Sequence, residues 1–202
     1  KHIENFLSHV SISGRKIIET GLIQIRNFGA EFQKATVSKV LKDKENLFEV
    51  YTKDGNKFFS WFVIVSSGVM DILPDIENIY RFFGESFFTC VDCDGYKTTG
   101  EKLVIIGNSE KTLRLALAMK QMFTKNITVV LSGSKTFPDY EEEFKEENIK
   151  LLNGEPAGII GQEKIEALEL KDGRKVECEV IMSNFGYRLN DDFLSELSLR
   201  KD

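Results

Sequence analysis

From residue 102 onward, short apolar runs alternate with longer amphipathic or charged runs. The short runs are predicted strands at 102–106, 127–131 and 149–152. Between them, residues 111–123 and 139–147 have the spacing and composition of helices. Strands that alternate with helices form parallel sheets joined by helical crossovers. The sequence therefore predicts a β-α-β-α-β unit, which makes the chain an α/β protein.

The residues before this unit form a β-rich part. Apolar spacing over 13–32 predicts a helix. Three β-like runs follow, at 34–42, 47–53 and 57–66. Within the last of them, the nearly continuous apolar run 61–65 is typical of a buried strand. Beyond the β-α-β-α-β unit, residues 165–170 and 175–182 are predicted to pair as a hairpin.

Composition narrows the classes of protein. A chain of 202 residues allows one large domain or two small ones. A net charge of −5 without a basic run argues against a polyanionic partner, so we predict that the protein does not bind nucleic acid. The apolar stretches are too short to cross a membrane and no signal sequence opens the chain, so we predict no membrane partner. Three cysteines do not fit a secreted disulfide framework, which predicts a cytoplasmic protein.

The most informative motif is Cys90-Val91-Asp92-Cys93-Asp94-Gly95-Tyr96. Two cysteines separated by two residues can close a small disulfide ring, and in a cytosolic α/β protein this spacing indicates a redox pair. Asp94 follows the second sulfur and could carry the proton that thiol–disulfide exchange releases. Two alternatives stay open: part of a zinc site, and a chance spacing of two core cysteines. We predict no metal, and we predict that Cys178 is a buried core thiol.

A glycine turn follows the first strand of the β-α-β-α-β unit. Gly107, Asn108, Ser109 and Glu110 stand where a dinucleotide-binding loop carries G-x-G-x-x-G, so they are candidates for cofactor binding. Only the first glycine of that pattern is present, and an ordinary strand-to-helix turn is an equal alternative. After the second strand, neither an acidic residue for the ribose of NAD nor an arginine for the 2′-phosphate of NADP is present. Lys135 is the only cation close by in the sequence, so the choice of NADPH or NADH stays open.

Six segments together resemble the thioredoxin reductase family of FAD-dependent pyridine nucleotide-disulfide oxidoreductases, in a divergent branch. They are Glu4-Asn5-Phe6, Ile12-Ser13-Gly14, Val63 to Gly68, Cys90 to Tyr96, Gly107 to Thr112, and Phe185 to Asn190. The resemblance implies a Rossmann-like two-domain disulfide reductase fold, in which a discontinuous FAD domain holds an inserted NAD(P)-type domain. On that basis residues 1–69 and 187–202 belong to the FAD domain and 70–186 to the inserted domain. The family's first strand and last segment are absent, so we expect a chain truncated at both ends.

The resemblance also implies roles for single residues. Cys93 would exchange electrons with the flavin, Cys90 would react with the substrate, and Asp94 would be the acid and base. Residues expected to line the FAD site are Asn5, Val37, Ser66, Ser67 and Gly68. Gly186 would close the inserted domain. Turn or capping work stays an alternative for Asn5, the two serines and Gly186.

The resemblance predicts an FAD-dependent thiol–disulfide oxidoreductase that passes electrons between flavin and a substrate disulfide. The expected partner is a thioredoxin-like protein or a small dithiol or disulfide, and homodimers are common in the family. Leu131-Ser132-Gly133 replaces the family's H-R-R sequence, which argues against tight NADPH binding. A nicotinamide-independent dithiol oxidase and a degenerate binding module without catalysis are the alternatives.

Overall fold

The computed structural model of the chain describes residues 2–133 and 136–199. Two compact units are present. Unit 1 comprises the residues up to Met70 and those from Arg188 onward, and unit 2 comprises Asp71–Tyr187. Within the described residues, no helix combines the length and apolar character that a membrane crossing requires.

The elements follow one another in this chain order. The elements up to the boundary between unit 1 and unit 2 are β1 (His2–Ile3), β2 (Ile12–Ser13), α1 (Gly14–Asn27), β3 (Val37–Lys42), β4 (Phe48–Thr52), β5 (Lys57–Ser60) and β6 (Val69–Asp71). The next are α2 (Ile79–Phe82), β7 (Phe87–Phe88), α3 (Val91–Asp94), β8 (Leu103–Gly107), α4 (Glu110–Met122), β9 (Ile127–Leu131), α5 (Pro138–Glu146) and β10 (Lys150–Asn153). The last are β11 (Pro156–Ile160), β12 (Ala167–Leu170), β13 (Lys175–Glu177), β14 (Val180–Asn184) and β15 (Tyr187–Leu189).

Unit 1 contains helix α1 and a three-stranded antiparallel sheet in the order β3-β4-β5. The Ser13 hydroxyl caps α1 by accepting a hydrogen bond from the Lys16 N–H at 3.2 Å. Gly29, at a φ of +76°, stands just past the helix end, as expected of a residue that terminates a helix. The sequence prediction of a helix followed by β-strands is confirmed for this part of the chain.

The prediction of a buried strand over residues 61–65 is wrong for this chain. Phe62 and Ile64 are 85% and 92% exposed, and β5 ends at Ser60. A strand needs a neighbouring strand for its backbone N–H and C=O groups. Among residues 2–133 and 136–199, none forms a ladder with this apolar run, so it is not a strand and most of its side chains are exposed.

Unit 2 is built on a five-stranded sheet in the order β10-β9-β8-β14-β7. All four strand pairs are parallel. The chain winds from β8 through α4 to β9 and through α5 to β10, then returns to the other side of β8 as β14. The predicted β-α-β-α-β unit is confirmed, with each boundary within one residue of its expected position.

The two faces of this sheet are covered differently. Leu103 and Ile105 of β8 pack on one side, with α4 and α5. Val104 and Ile106 pack on the other side, with α2 and a three-stranded antiparallel sheet in the order β11-β12-β13. Strand side chains point alternately to opposite faces, so the continuous apolar run of β8 fills both cores.

The predicted hairpin over 165–170 and 175–182 is correct only in its first half. Strands β12 and β13 pair antiparallel, with Leu168 opposite Val176. The chain then leaves that sheet at Cys178, and β14 joins the parallel sheet, with Ile181 opposite Val104. The apolar pattern of 175–182 is shared by two strands in two different sheets.

Candidate redox site and nucleotide crevice

The two cysteines of the motif form a disulfide. Strand β7 lies in the core, where Phe87 and Phe88 are fully buried. Cys90 follows two residues later and precedes α3. The Cα atoms of Cys90 and Cys93 lie 5.3 Å apart. The Cys93 N–H donates a hydrogen bond of 3.2 Å to Cys90 Sγ. After reduction, this N–H would stabilise negative charge on the Cys90 sulfur.

Asp94 is buried directly after the disulfide. Its side chain is 5% exposed and forms an ion pair with Lys97, at 3.0 Å from Oδ1 to Nζ. The Lys97 ammonium also lies 5.4 Å from the ring centre of Phe88 and 5.8 Å from that of Tyr96. A carboxyl group next in the chain to Cys93 has the chemistry needed to take up or return a proton during thiol–disulfide exchange. Sequence reasoning identified Asp94 but missed its partner Lys97, three residues further on.

Gly95 fixes the turn that follows the disulfide. A β-carbon at this position would lie 2.8 Å from the Phe123 ring and 3.1 Å from Val91. The Thr98 hydroxyl donates to the Gly95 carbonyl oxygen at 2.8 Å. The glycine of the C-x-x-C-D-G motif is therefore required here by the close approach of a side chain from the end of α4.

The carboxyl ends of four parallel strands, β10, β9, β8 and β14, lie side by side at one end of the sheet in unit 2. Gly107 stands opposite Leu131 and Asn184, and Leu131 opposite Asn153. The chain reverses its winding beside β8, and ligands of open α/β sheets bind at the carboxyl ends of strands beside such a reversal. This end of the sheet is therefore the place at which such a fold holds a ligand. We call it the strand-end crevice.

The glycine turn lies in the strand-end crevice. A β-carbon on Gly107 would overlap the Thr112 side chain and stand 2.5 Å from the Asn184 carbonyl oxygen. The space at Gly107 thus serves the packing of α4 against the sheet. Asn108 is exposed and Ser109 is half-buried, and the side chain of Ser109 stands where the usual motif has its second glycine. Of the predicted residues, the structure brings Gly107, Asn108, Ser109 and Glu110 together at this turn.

Glu110 opens helix α4 within a small polar network. Its Oε1 accepts hydrogen bonds from Arg114 at 2.6 Å and from the Tyr140 hydroxyl at 2.8 Å. These hydrogen bonds, from Arg114 first and Tyr140 second, lower the pKa of Glu110 below its ordinary value. Glu110 therefore carries a negative charge that Arg114 neutralises at the start of the helix.

A second carboxylate lies at the end of β9. The Gly133 N–H donates a 2.7 Å hydrogen bond to Oε1 of Glu155, which belongs to the loop after β10. Sequence reasoning looked for an acidic residue directly after β9 and missed Glu155, because it lies 22 residues away and reaches β9 only through the sheet. Lys135, the cation noted in the sequence, lies outside the described residues.

Unit 1 contains a cleft of about 580 Å³. Its walls are Ala35, Thr36, Val37, Ser38, Lys53, Ser67, Asn190, Asp192 and Phe193. The side-chain amide of Asn190 donates a hydrogen bond to the Ser67 carbonyl oxygen at 3.1 Å. The backbone N–H of Asn190 donates to the Gly68 carbonyl oxygen at 3.2 Å. Of the predicted FAD residues, Val37 and Ser67 line this cleft and Ser66 and Gly68 flank it. Asn5 is exposed in the segment between β1 and β2, and it is not part of the cleft wall.

The remaining predicted positions have simple surroundings. Gly186 is an exposed turn residue with a φ of +86°, and its carbonyl oxygen accepts a hydrogen bond from the Ile72 N–H at 2.9 Å. Cys178 is 1% exposed, and its burial raises the pKa of the thiol to about 12. Cys178 is therefore a core thiol, as predicted. Across the described residues, no three potential metal ligands come together.

Comparison with solved structures shows the fold. The chain matches a putative thioredoxin reductase from Bacillus anthracis with a TM-score of 0.88 and 20% identity, over 98% of this chain and 67% of that one. It matches the crystal structure of HlmI with a TM-score of 0.90 and 22% identity, over 100% of this chain and 64% of that one. Both agree with the α/β fold predicted from the sequence.

Comparison of sequences gives the family. The thioredoxin reductase of Aquifex aeolicus (strain VF5) is 27% identical over 177 residues, which cover 86% of this chain and 54% of that protein. The chain thus spans about half the length of this curated relative. The family model for pyridine nucleotide-disulphide oxidoreductases matches residues 4–202. This confirms the resemblance inferred from the six sequence segments. The chain belongs to the pyridine nucleotide-disulphide oxidoreductase family.

Proposed function

We propose that the protein is an FAD-dependent thiol–disulfide oxidoreductase of the thioredoxin reductase type. The observation that carries this proposal is the Cys90–Cys93 disulfide at the surface of unit 2, with the buried Asp94 carboxylate adjacent in the chain. A disulfide in a reducing compartment is usually catalytic. The short ring, the hydrogen bond within it and the neighbouring acid match what thiol–disulfide exchange needs.

The exchange with a substrate disulfide has two steps. The Cys90 thiolate attacks one substrate sulfur, forms a mixed disulfide and releases the other substrate sulfur as a thiolate. The Cys93 thiolate then attacks Cys90 Sγ, restores the ring and releases the second substrate thiolate. Two electrons and two protons pass from the dithiol pair to the substrate. Asp94 holds one of these protons during the transfer, and Lys97 keeps its carboxylate in place.

The residues of unit 1 fit part of an FAD molecule. The cleft volume lies within the range of small-molecule sites. Val37 and the polar residue Ser67 line its wall, and Lys53 adds a cation to the lining. FAD held in this cleft would supply two-electron transfer, and its reduced form would have the electrons needed to return the disulfide to the dithiol. Because the relatives are named thioredoxin reductases, the proposed substrate is a thioredoxin-like protein, and a small disulfide is the alternative.

A second candidate function is a dithiol oxidase that needs no nicotinamide. The side chain of Ser109 favours it, because it stands at the second glycine position of the motif, where close approach of a pyrophosphate requires bare backbone. In this case the substrate is a dithiol, and electrons flow from it through the cysteine pair to the flavin and then to oxygen.

The test uses visible absorption of the native protein under anaerobic conditions. We expect a flavin band that bleaches when NADH or NADPH is added. A band that bleaches only with a dithiol supports the oxidase, and a colourless protein contradicts both proposals and favours a binding module. Turnover should be lost in Cys93→Ser and retained in Cys178→Ser, the matched control in the core. Unchanged turnover of Cys93→Ser refutes a role for the pair.

A further inference from the structure

Glu155 is held firmly at the strand-end crevice. The Gly154 N–H donates to the Leu131 carbonyl oxygen at 3.0 Å, and the Lys171 N–H donates to the Glu155 carbonyl oxygen at 2.8 Å. The Glu155 side chain then accepts from the Gly133 N–H at 2.7 Å. Three hydrogen bonds therefore fix an exposed carboxylate at the end of the second strand of the β-α-β unit.

Gly133, whose N–H binds this carboxylate, has free space beside its α-carbon. A β-carbon there, at a φ of +88°, would meet nothing within 4 Å among the described residues. The neighbouring Ser132 donates its N–H to the Gly107 carbonyl oxygen at 2.8 Å. The buried Ser132 hydroxyl has no hydrogen-bond partner within the described residues. A buried hydroxyl without a partner at the end of a strand marks a place where a ligand or a water can supply the missing hydrogen bond, since most buried polar groups are paired.

We propose that Glu155 makes the protein selective for NAD(H) against NADP(H). The inference rests on the proposed function, which places a pyridine nucleotide in the strand-end crevice. In dinucleotide-binding folds, a carboxylate at the end of the second strand accepts hydrogen bonds from the ribose hydroxyls of NAD. Here the residues after β9 are Ser132 and Gly133, and the loop after β10 supplies the carboxylate instead.

The selectivity follows from charge. One oxygen of Glu155 binds the Gly133 N–H, and the other remains available to the two ribose hydroxyls. A 2′-phosphate in the same place would set two negative charges against the carboxylate. Arg114, in helix α4, is already paired with Glu110 at 2.6 Å. Lys111 is exposed in the first turn of that helix, and Lys135 lies outside the described residues. The free energy of a hydrogen bond to a charged group corresponds to at least about a tenfold difference in affinity, here in favour of NAD(H) over NADP(H).

Equilibrium binding to the native protein tests this inference without any turnover. Titration calorimetry with NAD⁺ and with NADP⁺ should give at least about tenfold tighter binding of NAD⁺. Glu155→Gln keeps the side-chain size and removes the charge, so it should cut that ratio by about tenfold through tighter binding of NADP⁺. Glu163→Gln, an exposed carboxylate in the loop before β12, is the matched control and should leave the ratio unchanged.

Three results would overturn the inference: a preference of the native protein for NADP⁺, an unchanged ratio in Glu155→Gln, or no binding of either nucleotide. Failure of the proposed function is a different result. A protein that binds no nucleotide but whose flavin is reduced by a dithiol retains the redox function and loses only the role of Glu155. A protein whose cysteines do not cycle loses the redox function, whatever its nucleotide preference.

Discussion

The ion pair between Asp94 and Lys97 allows a quantitative test of the redox site. Asp94 is almost fully buried and Lys97 is 27% exposed, with 3.0 Å between their charged atoms. Replacing Lys97 by Met keeps most of the apolar stem but removes the charge from beside the carboxylate. The loss should destabilise unit 2, because the buried carboxylate then lacks its ammonium partner.

The size of the effect follows from the distance and the exposure. At 3.0 Å the Coulomb attraction is about 5.5 kcal/mol at an effective dielectric constant of about 20, and about 1.4 kcal/mol in water. Partial exposure of Lys97 screens the pair, and desolvation of Asp94 offsets part of the attraction. We expect a coupling free energy of about 1–2 kcal/mol between the two side chains, and a smaller loss for Lys97→Arg than for Lys97→Met.

The assay is a double-mutant cycle with Lys97→Met and Asp94→Asn. With the disulfide intact, Cys178 is the third and remaining cysteine, and it lies in the core of unit 2. Its rate of labelling by a thiol reagent at increasing urea concentration therefore reports the unfolding of unit 2. A coupling energy near zero, or equal losses for Lys97→Met and Lys97→Arg, would refute the role given to this ion pair.

Three further predictions concern unit 2. Gly107→Ala should destabilise it by about 1–3 kcal/mol in urea, because the added methyl group overlaps the following helix, whereas Gly158→Ala adds only an ordinary contact at 3.5 Å and is the control. Cys178, with its pKa raised to about 12 by burial, should resist iodoacetamide at pH 8 until urea unfolds the protein; rapid labelling of the folded protein would contradict this. Arg114→Met should raise the pKa of Glu110 toward its ordinary value in an NMR titration; the native pair contributes stability above that value and loses it as pH falls through the lowered pKa.

The sequence predicted most accurately those strands whose neighbouring strands and covering helices are also among the described residues. Unit 2 covers both faces of strands β8 and β9, and both strands carry apolar residues on each face. Their predicted bounds therefore agree with the observed bounds within one residue. The run 61–65 has the same apolar pattern, but no described strand pairs with it, and so the pattern alone predicted a burial that the chain does not provide. Local pattern determines which residues can form a strand, while pairing determines whether they do.

The candidate site shows the same division. Cys90, Cys93 and Asp94 were found because they lie within five consecutive residues of the sequence. Glu155 was not found, because parallel pairing of β9 with β10 brings it to Gly133 from a different loop. Residues that converge at the ends of parallel strands are distant in sequence, and their meeting is a property of the sheet.

The electron capacity of the native protein tests the central claim most directly. An anaerobic reductive titration, followed by visible absorption, counts the electrons taken up for each bound flavin. A flavin and a redox-active disulfide each accept two electrons, so the account predicts about four per flavin in the native protein and about two in Cys93→Ser. An uptake of about two electrons in both proteins would show that the Cys90–Cys93 disulfide is not reduced, and would contradict the claim.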